Sequence, residues 1–116
     1  MNPVNTGRLE RETNITNTDP TANFISVKLN RCSVRSLVDT GAQRSCISDR
    51  LANKLRLLPT QPSTDDPDFL VAASGARMQN MGCVEIDVFI QGLTIPHSFI
   101  VLKDLTHDCI FGMDFL

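Results

Sequence analysis

Apolar and polar residues alternate along several short segments of this chain, and this period of two restricts the fold more than any other feature. The alternation is clearest at residues 84–91, which read VEIDVFIQ. Successive side chains of a β-strand point to opposite faces of a sheet, so the pattern is typical of a half-buried strand. Further strands are predicted at residues 23–30, 32–38 and 93–102, where Pro96 indicates an edge or a bulge. The sequence therefore predicts a mainly β chain.

Residues that favour turns and helix ends divide the rest of the sequence. Ser74-Gly75 lies between two short extended pieces, residues 69–73 and 77–81, and predicts a hairpin. One helix is predicted over residues 48–57, because a serine suited to the N-cap begins it and apolar residues follow on one face. Pro59 is expected to stop this helix.

Length and composition indicate one folded domain. The chain has 116 residues, of which 41% are hydrophobic, and this is enough for a modest core. Residues 1–20 are mostly polar, with hardly any apolar periodicity, so they are expected to form a flexible polar leader. Residues 21–116 are expected to form the domain itself.

The charge balance argues against nucleic-acid binding and the hydropathy argues against a membrane partner. Eleven Lys and Arg face thirteen Asp and Glu, for a formal charge of −2, and no basic stripe is present. The aromatic residues are 5% of the chain and all are Phe, which leaves little surface for stacking on bases. No stretch reaches the ~20 apolar residues of a membrane span, and the N-terminus lacks the apolar core of a signal peptide. The expected location is the cytoplasm.

The cysteines and histidines do not have the spacing of a metal site. No Cys-x-x-Cys pair occurs, and the two histidines share no metal-ligand pattern with the cysteines. We therefore expect no metal and no cofactor, with the cysteines acting as free, largely buried thiols. The residues concerned are Cys32, Cys46, Cys83, Cys109, His97 and His107.

One carboxylate stands out by its position. The stretch Leu37-Val38-Asp39-Thr40-Gly41-Ala42 places Asp39 in a tight turn directly after an apolar run. Asp-Thr-Gly is also good turn chemistry, so the motif alone is compatible with an Asp39 that merely caps a turn. The context favours a catalytic carboxylate, because Ser45-Cys46-Ile47-Ser48 follows and Ile110-Phe111-Gly112 comes later in the chain.

Together with the predicted hairpin, these pieces resemble in order and spacing the retropepsin family, the single-lobe aspartic proteases of retroviruses and long-terminal-repeat retrotransposons. The resemblance covers about residues 23–116, and the ending Gly112-Met113-Asp114-Phe115-Leu116 is closer to the retrotransposon branch. It implies a mainly β, single-lobe, closed β domain with one or two short helices, active as a two-fold dimer.

The resemblance implies an aspartic endopeptidase. Such enzymes hydrolyse peptides with two carboxylates that share one proton, because like charges so close cannot both ionise. This chain has one Asp-Thr-Gly and is too short for two lobes, so the site would form by pairing of two identical chains. The catalytic residues are then Asp39, Thr40 and Gly41, with the Thr40 hydroxyl directed at the partner's backbone and Gly41 allowing a sharp turn.

The resemblance also implies a lid and a substrate. The Ser74-Gly75 hairpin is expected to be the flap that closes over an extended peptide. The expected substrate is a Gag-Pol-type polyprotein, including this protease's own boundaries, cut in the cytoplasm or inside virus-like particles. The residues expected to bind it are Ala42, Gln43, Ala73, Ser74, Gly75 and Ile110.

Two features depart from the retroviral pattern. Retroviral members often carry an acid two positions after the motif glycine and an Arg just after the later glycine, but Gln43 and Met113 stand there. Both charges are missing together, which predicts a different interface chemistry with no orphaned charge. Retroviral members also continue into a strand that interleaves with its mate, whereas this sequence stops at Leu116. Either the dimer is built differently or the sequence is truncated.

Two other functions are compatible with the sequence. A retropepsin-like fold could serve as a dimerisation or binding module with weak or no peptidase activity, because fold does not dictate function. A metal-binding or redox protein that uses the four cysteines is the other alternative, and it predicts bound metal or reactive thiols.

Overall fold

Regular structure in this chain consists mainly of strands, as the period of two predicts. The computed structural model describes residues 12–15, 23–72 and 74–116, and over these residues it contains eight strands and one short helix. In chain order they are β1 (Glu12–Ile15), β2 (Asn23–Leu29), β3 (Cys32–Val38), β4 (Cys46–Ser48), α1 (Asp49–Lys54), β5 (Phe69–Ala72), β6 (Arg77–Ile90), β7 (Leu93–Leu102) and β8 (Cys109–Phe111).

The strands form one sheet that closes on itself. The order is β1-β5-β6-β2-β3-β8-β4-β7, and an additional antiparallel pairing of β6 with β7 joins the sheet into a ring. Closure leaves few free edges in the ring, which stabilises a small β domain. Strands β1 and β5 lie outside the ring, on the first part of β6. The mainly β, closed, single-lobe fold expected from the sequence is confirmed.

Two tight turns connect strands that follow one another in the chain. Asn30, at φ 55°, begins the turn between β2 and β3, and its side-chain Oδ1 accepts a hydrogen bond of 3.0 Å from the Asp87 amide. Gln91 and Gly92 have φ of 50° and 80° and join β6 to β7 in a two-residue loop. Positive φ at both positions matches the twist of a hairpin.

The two extended pieces predicted at residues 77–81 and 84–91 are a single strand, β6. The first part pairs with β5 and the second with β7, and the register shifts between Asn80 and Cys83. Gly82 makes this bend possible, because at φ 120° a Cβ there would lie 1.7 Å from the Thr60 carbonyl oxygen. A glycine bulge therefore takes the place of the predicted break.

Helix α1 begins as predicted and ends earlier. The hydroxyl of the N-cap residue Ser48 accepts a 3.0 Å hydrogen bond from the Leu51 amide. The last helical residue is Lys54, three before the predicted end, because Arg56 adopts φ 58°. Hydrogen bonds from the Arg56 and Leu57 amides back to the carbonyls of Asn53 and Ala52 close the helix as a Schellman motif. Pro59 is therefore not the stop.

Part of the predicted leader belongs to the sheet. β1 pairs in parallel with β5, with Glu12 opposite Phe69 and Ile15 opposite Ala72. Main-chain groups on the free edge of β5 can pair with a segment of any composition, so polarity alone did not indicate this strand. The rest of the predicted leader lies outside the described residues, and the domain boundary at residue 21 stays a prediction.

The buried apolar side chains of the described residues form two clusters. The larger lies between β2, β6, β7 and α1 and contains Phe99 and Phe111, whose rings meet edge to face at 5.7 Å. The smaller includes Leu37, Ala42 and Ile110, and it packs beneath the end of β3. The residues next to Asp39 are thus anchored in a rigid core. Over the described residues, the one helix is too short to cross a membrane.

Candidate active site

The carboxylate singled out in the sequence lies where two parallel strands end together. β3 and β8 run in parallel, with Val38 opposite Phe111. The Asp39 amide donates a 2.9 Å hydrogen bond to the Phe111 carbonyl, so the chain leaves both strands at one point. Asp39 itself is buried, with 5% of its surface exposed. A buried carboxylate is rare unless it has a structural partner or a function.

A local turn fixes one of the two carboxylate oxygens. The Gly41 amide donates a 2.8 Å hydrogen bond to Asp39 Oδ1, and the Ala42 amide donates to the Asp39 carbonyl at 3.1 Å. This is an Asx turn, the conformation that Asp-x-Gly favours. Thr40 and Gly41 are exposed, whereas Ala42 is buried at 2%. The turn therefore presents two small residues at the surface beside a buried carboxylate.

The other oxygen, Asp39 Oδ2, has no hydrogen-bond partner among the residues that the structure describes. It is buried, and none of the described residues forms a hydrogen bond with it. A buried acceptor without a hydrogen bond costs about 1–3 kcal/mol, and more when it is charged. Native structures rarely leave such a group unsatisfied, so this oxygen has unused capacity to accept a hydrogen bond.

Residues 39–45, called the Asp39 loop below, pack against residues 112–116, called the Gly112 turn. The Met113 amide donates to the Ala42 carbonyl at 2.8 Å, and the Asp114 amide donates to the Gln43 carbonyl at 3.1 Å. A Cβ on Gly112 would lie 2.7 Å from the Ala42 carbonyl oxygen, closer than real Cβ atoms approach. Gly112 is thus required by a close backbone approach.

The Asp114 side chain completes this contact. Its Oδ1 accepts a 2.6 Å hydrogen bond from the Ser45 hydroxyl, and the Ser45 amide lies 3.0 Å from both carboxylate oxygens. The Ser45 hydroxyl oxygen in turn accepts a 3.0 Å hydrogen bond from the Gly112 amide. Burial raises the pKa of Asp114, but the Ser45 hydrogen bonds and the nearby His97 outweigh it, and the net pKa is lowered.

Arg44, within the Asp39 loop, forms ion pairs that the sequence did not indicate. Arg44 Nε is 3.2 Å from Asp114 Oδ2, and Arg44 Nη1 pairs with Asp66 Oδ1. His97 Nε2 also lies 3.2 Å from Asp114 Oδ2. Gln43 and Met113 are uncharged, as the sequence shows, and each is followed by a charged residue, Arg44 or Asp114. The base and the acid thus stand on the opposite segments from those of the retroviral pattern, and a different interface chemistry stays a prediction.

The predicted flap is a β-hairpin between β5 and β6. The Gly75 amide donates to the Ala72 carbonyl at 2.8 Å, and the Ala72 amide donates to the Ala76 carbonyl at 2.8 Å. With Gly75 at φ 91°, this is the geometry of a three-residue hairpin loop. Ser74 and Gly75 are exposed at the tip, and Ala73 lies outside the described residues.

A cavity of about 420 Å³ separates this hairpin from residues 104–107. Its lining includes Met78, Leu105 and Ile110, together with Ser74 at the hairpin tip. Of the residues expected to bind substrate, Ser74 and Ile110 thus share one cavity. Ala42 and Gln43 lie in the Asp39 loop, and Gly75 is not part of the cavity wall. Apolar side chains in its wall lie beside polar and charged ones such as Asp104 and His107, a mixture that is common in binding pockets.

Metal chemistry finds no support in the part of the chain that the structure describes, because no group of three or more His, Cys, Asp or Glu side chains there could hold an ion. All four cysteines are free thiols. Burial raises the pKa of Cys109 to about 12 and that of Cys46 further, so both thiols stay protonated at neutral pH.

A comparison with known sequences supports the retropepsin resemblance. A family model described as "gag-polyprotein putative aspartyl protease" matches residues 25–116. DNA damage-inducible protein 1 of Candida glabrata is 36% identical over 95 residues, which cover 80% of this chain and 21% of that protein. The protein DDI1 homolog of Leishmania major is 29% identical over 95 residues, which cover 78% and 23%. The chain spans about a fifth of the length of these curated relatives.

Solved structures share the fold at low sequence identity. The retroviral protease-like domain of Ddi1 from Leishmania major has a TM-score of 0.64 at 24% identity, over 84% of this chain and 77% of that one. EIAV protease, in complex with the inhibitor HBY-793, has a TM-score of 0.62 at 19% identity, over 88% and 91%. A retropepsin-like aspartic protease from Rickettsia conorii has a TM-score of 0.52 at 16% identity, over 88% and 73%.

The family match extends from β2 through the Asp39 loop to the Gly112 turn. This span contains the closed sheet and the Asp-Thr-Gly turn that follows β3. Given the family match over residues 25–116, this chain belongs to the gag-polyprotein aspartyl protease family, and its fold is retropepsin-like.

Proposed function

We propose that this chain is an aspartic endopeptidase that works as a homodimer and activates water between two Asp39 carboxylates. The observation that carries the proposal is the buried Oδ2 of Asp39, which accepts no hydrogen bond from any described residue, while Oδ1 accepts one from the Gly41 amide. Such an arrangement orients the carboxylate through Oδ1, and Oδ2 would accept the hydrogen bond of the attacking water. Family membership supplies the reaction class that suits it.

The mechanism needs both members of a carboxyl pair in different protonation states. The ionised Asp39 takes a proton from the attacking water, while the protonated Asp39 of the second copy donates a hydrogen bond to the peptide carbonyl oxygen. Two carboxyls so close share one proton, because the second ionisation is opposed by the first charge. The Gly41 amide would stabilise whichever Asp39 is ionised, since it donates to Oδ1.

The surface around Asp39 supports pairing of two copies. Thr40 and Gly41 are exposed in the isolated chain, directly beside the buried carboxylate. Met113 and Leu116, on the adjoining Gly112 turn, are 53% and 54% exposed. A two-fold axis through this region would cover these apolar side chains and bring a second carboxyl to Oδ2. Thr40 would then lie at the axis, where its hydroxyl can reach the partner's backbone.

The proposed substrate is an extended peptide segment of a Gag-Pol-type polyprotein. A peptide in the cavity between the β5–β6 hairpin and residues 104–107 would lie over Met78, Leu105 and Ile110. The hairpin would close over it as a lid and exclude water. The family description names a gag-polyprotein, which supports a polyprotein substrate, including the boundaries of this protease.

The direct experiment compares the wild type with Asp39→Asn, a variant of almost identical shape. Both proteins are incubated with a Gag-Pol-type polyprotein from pH 4 to pH 7, the products are identified by mass spectrometry, and the native mass of each protein is measured. We expect the wild type to cut, with Asp39→Asn slower by roughly 10²–10⁴-fold although still a dimer. Equal cleavage would overturn the catalytic assignment. A wild-type dimer without cleavage would instead support the binding-module alternative.

A further inference from the structure

We propose that Arg44 is a positioning residue that holds the Asp39 loop against both the Gly112 turn and the base of the β5–β6 hairpin. The inference rests on the proposed function for its catalytic consequence. Its geometry rests on contacts between residues that are far apart in the chain. No charge pattern in the sequence indicated that these residues meet.

The guanidinium of Arg44 lies between two carboxylates from different segments. Nε lies 3.2 Å from Asp114 Oδ2, and Nη1 pairs with Asp66 Oδ1. The two carboxylates are therefore bound by different nitrogens of one planar group. Only 25% of the Arg44 side chain is exposed, and the Asp66 side chain is 7% exposed. Arginine suits this place because its donors point in fixed, separate directions, which a lysine ammonium cannot reproduce.

The contact of Arg44 with Asp114 is linked to the loop that contains Asp39 by hydrogen bonds. Asp114 accepts hydrogen bonds from the amide and the hydroxyl of Ser45, the last residue of the Asp39 loop. The Asp114 amide and that of Met113 donate to carbonyls of the same loop. Arg44 therefore neutralises the carboxylate on which the packing of this loop depends.

The contact of Arg44 with Asp66 is linked by hydrogen bonds to the β5–β6 hairpin, which the proposed function treats as a lid. Asp66 comes just before Pro67, whose carbonyl accepts a 2.8 Å hydrogen bond from Asn80 Nδ2, and the Asn80 amide donates to the Asp68 carbonyl at 3.0 Å. Asn80 lies at the β6 bulge, below the paired part of the hairpin. The second oxygen of Asp66 accepts a weak 3.5 Å contact from the Cys83 thiol. Arg44 is thus the cation that connects the base of the hairpin to the Asp39 loop.

This connection affects catalysis because the two Asp39 carboxylates must share a proton and a water at fixed separation. A displacement of about 1 Å by a change remote from the chemistry can slow a reaction about 100-fold. Loss of Arg44 is therefore expected to lower kcat more than it changes KM. It is also expected to shift the limbs of the pH–rate profile, since those report the coupled carboxyl pair.

The test compares Arg44→Met and Arg44→Lys with Arg31→Met, which removes the same charge from an exposed turn far from the loop. Steady-state kinetics and the pH profile are measured with the full chain on a peptide that the wild type cuts. Amide hydrogen exchange is followed at Ser45 and at Asp114. We expect Arg44→Met to lower kcat at least about tenfold, with KM within about threefold and faster exchange at both amides. Arg44→Lys should fall between it and the wild type, and Arg31→Met should match the wild type.

The outcomes separate this inference from the proposed function. If folded Arg44→Met keeps the wild-type kcat, pH profile and exchange rates, the inference is overturned. If Arg44→Met does not fold, Arg44→Lys decides, because wild-type kinetics and exchange in that variant would also overturn it. If the wild type cuts nothing, the proposed function fails, and the exchange rates alone then decide whether Arg44 positions the loop.

Discussion

The backbone of Gly112 passes so close to the Asp39 loop that no larger residue fits. Its Cβ position lies within 2.9 Å of the carbonyls of Ala42 and Arg44, and these are backbone atoms that cannot rotate away. The sequence marked Gly112 through the apolar-apolar-Gly pattern, and the structure gives the physical reason. The Asp39 turn was equally predictable, because an Asx turn depends only on neighbouring residues.

Gly112→Ala is expected to destabilise the fold by about 1–3 kcal/mol, because the added methyl forces the two segments apart. Activity should fall further than stability, since Asp39 would move with its loop. Gly92→Ala is the matched control, because nothing lies within 4 Å of its Cβ position and only the φ of 80° is unfavourable. Its expected cost is about 1 kcal/mol with unchanged activity. Urea unfolding and a cleavage assay measure both quantities. Equal loss of activity in both variants would contradict the steric account.

The lowered pKa of Asp114 makes stability depend on pH in a known direction. The folded pKa lies below the ordinary value of 3.8, so the native state favours the ionised carboxylate. The resulting stabilisation is complete above the unfolded pKa and is lost as the pH falls through the folded pKa. The free energy of unfolding from urea curves should therefore fall more steeply below pH 4 in the wild type than in Asp114→Asn. Parallel curves for the two proteins would show that Asp114 does not carry this dependence.

The ion pair of Arg44 with Asp114 could not be predicted from the sequence, because the partners are far apart along the chain. Their contact depends on the parallel pairing of β3 with β8, which local patterns do not encode. The retroviral pattern places its charges at the positions of Gln43 and Met113, whereas the charges of this chain stand one residue later in each segment.

Secondary structure was predictable where an element is long and half-buried. β3 and β7 match their predicted bounds, and both are connected by turns with suitable residues. β4 was missed, because a three-residue strand buried on all sides shows no alternation. The long β6 was divided in two, because a glycine within a strand resembles a break until its bulge is seen.

The N-cap of α1 is a local feature that stabilises the segment after the Asp39 loop. Ser48→Ala removes the acceptor of the Leu51 amide, which leaves a buried donor unsatisfied. We expect a loss of about 0.5–2 kcal/mol in the free energy of unfolding. Ser33→Ala, at an exposed position of β3, should change it by no more than about 0.5 kcal/mol. Chemical denaturation of both variants measures the difference, and equal stabilities would argue against the cap.

The molecule as a whole is a closed sheet that carries one Asp-Thr-Gly turn, which the proposed function treats as half of a catalytic site. Mainly β character, one domain and a single Asp-Thr-Gly turn could be predicted from composition and period. Closure of the sheet was implied by the family resemblance, but its route could not be predicted, because it depends on one long bent strand, β6, that pairs with both β2 and β7. The unsatisfied Oδ2 of Asp39 and the exposed Thr40 and Met113 around it are consistent with completion by a second chain.

Mixing wild type with Asp39→Asn at constant total protein tests the two-copy site most directly. If each site needs one Asp39 from each of two chains, cleavage should fall with the square of the wild-type fraction, because mixed dimers are inactive. The subunits must be allowed to exchange fully before the peptide is added. A strictly linear fall would mean that a single chain carries the whole site, and it would contradict the shared-carboxylate account.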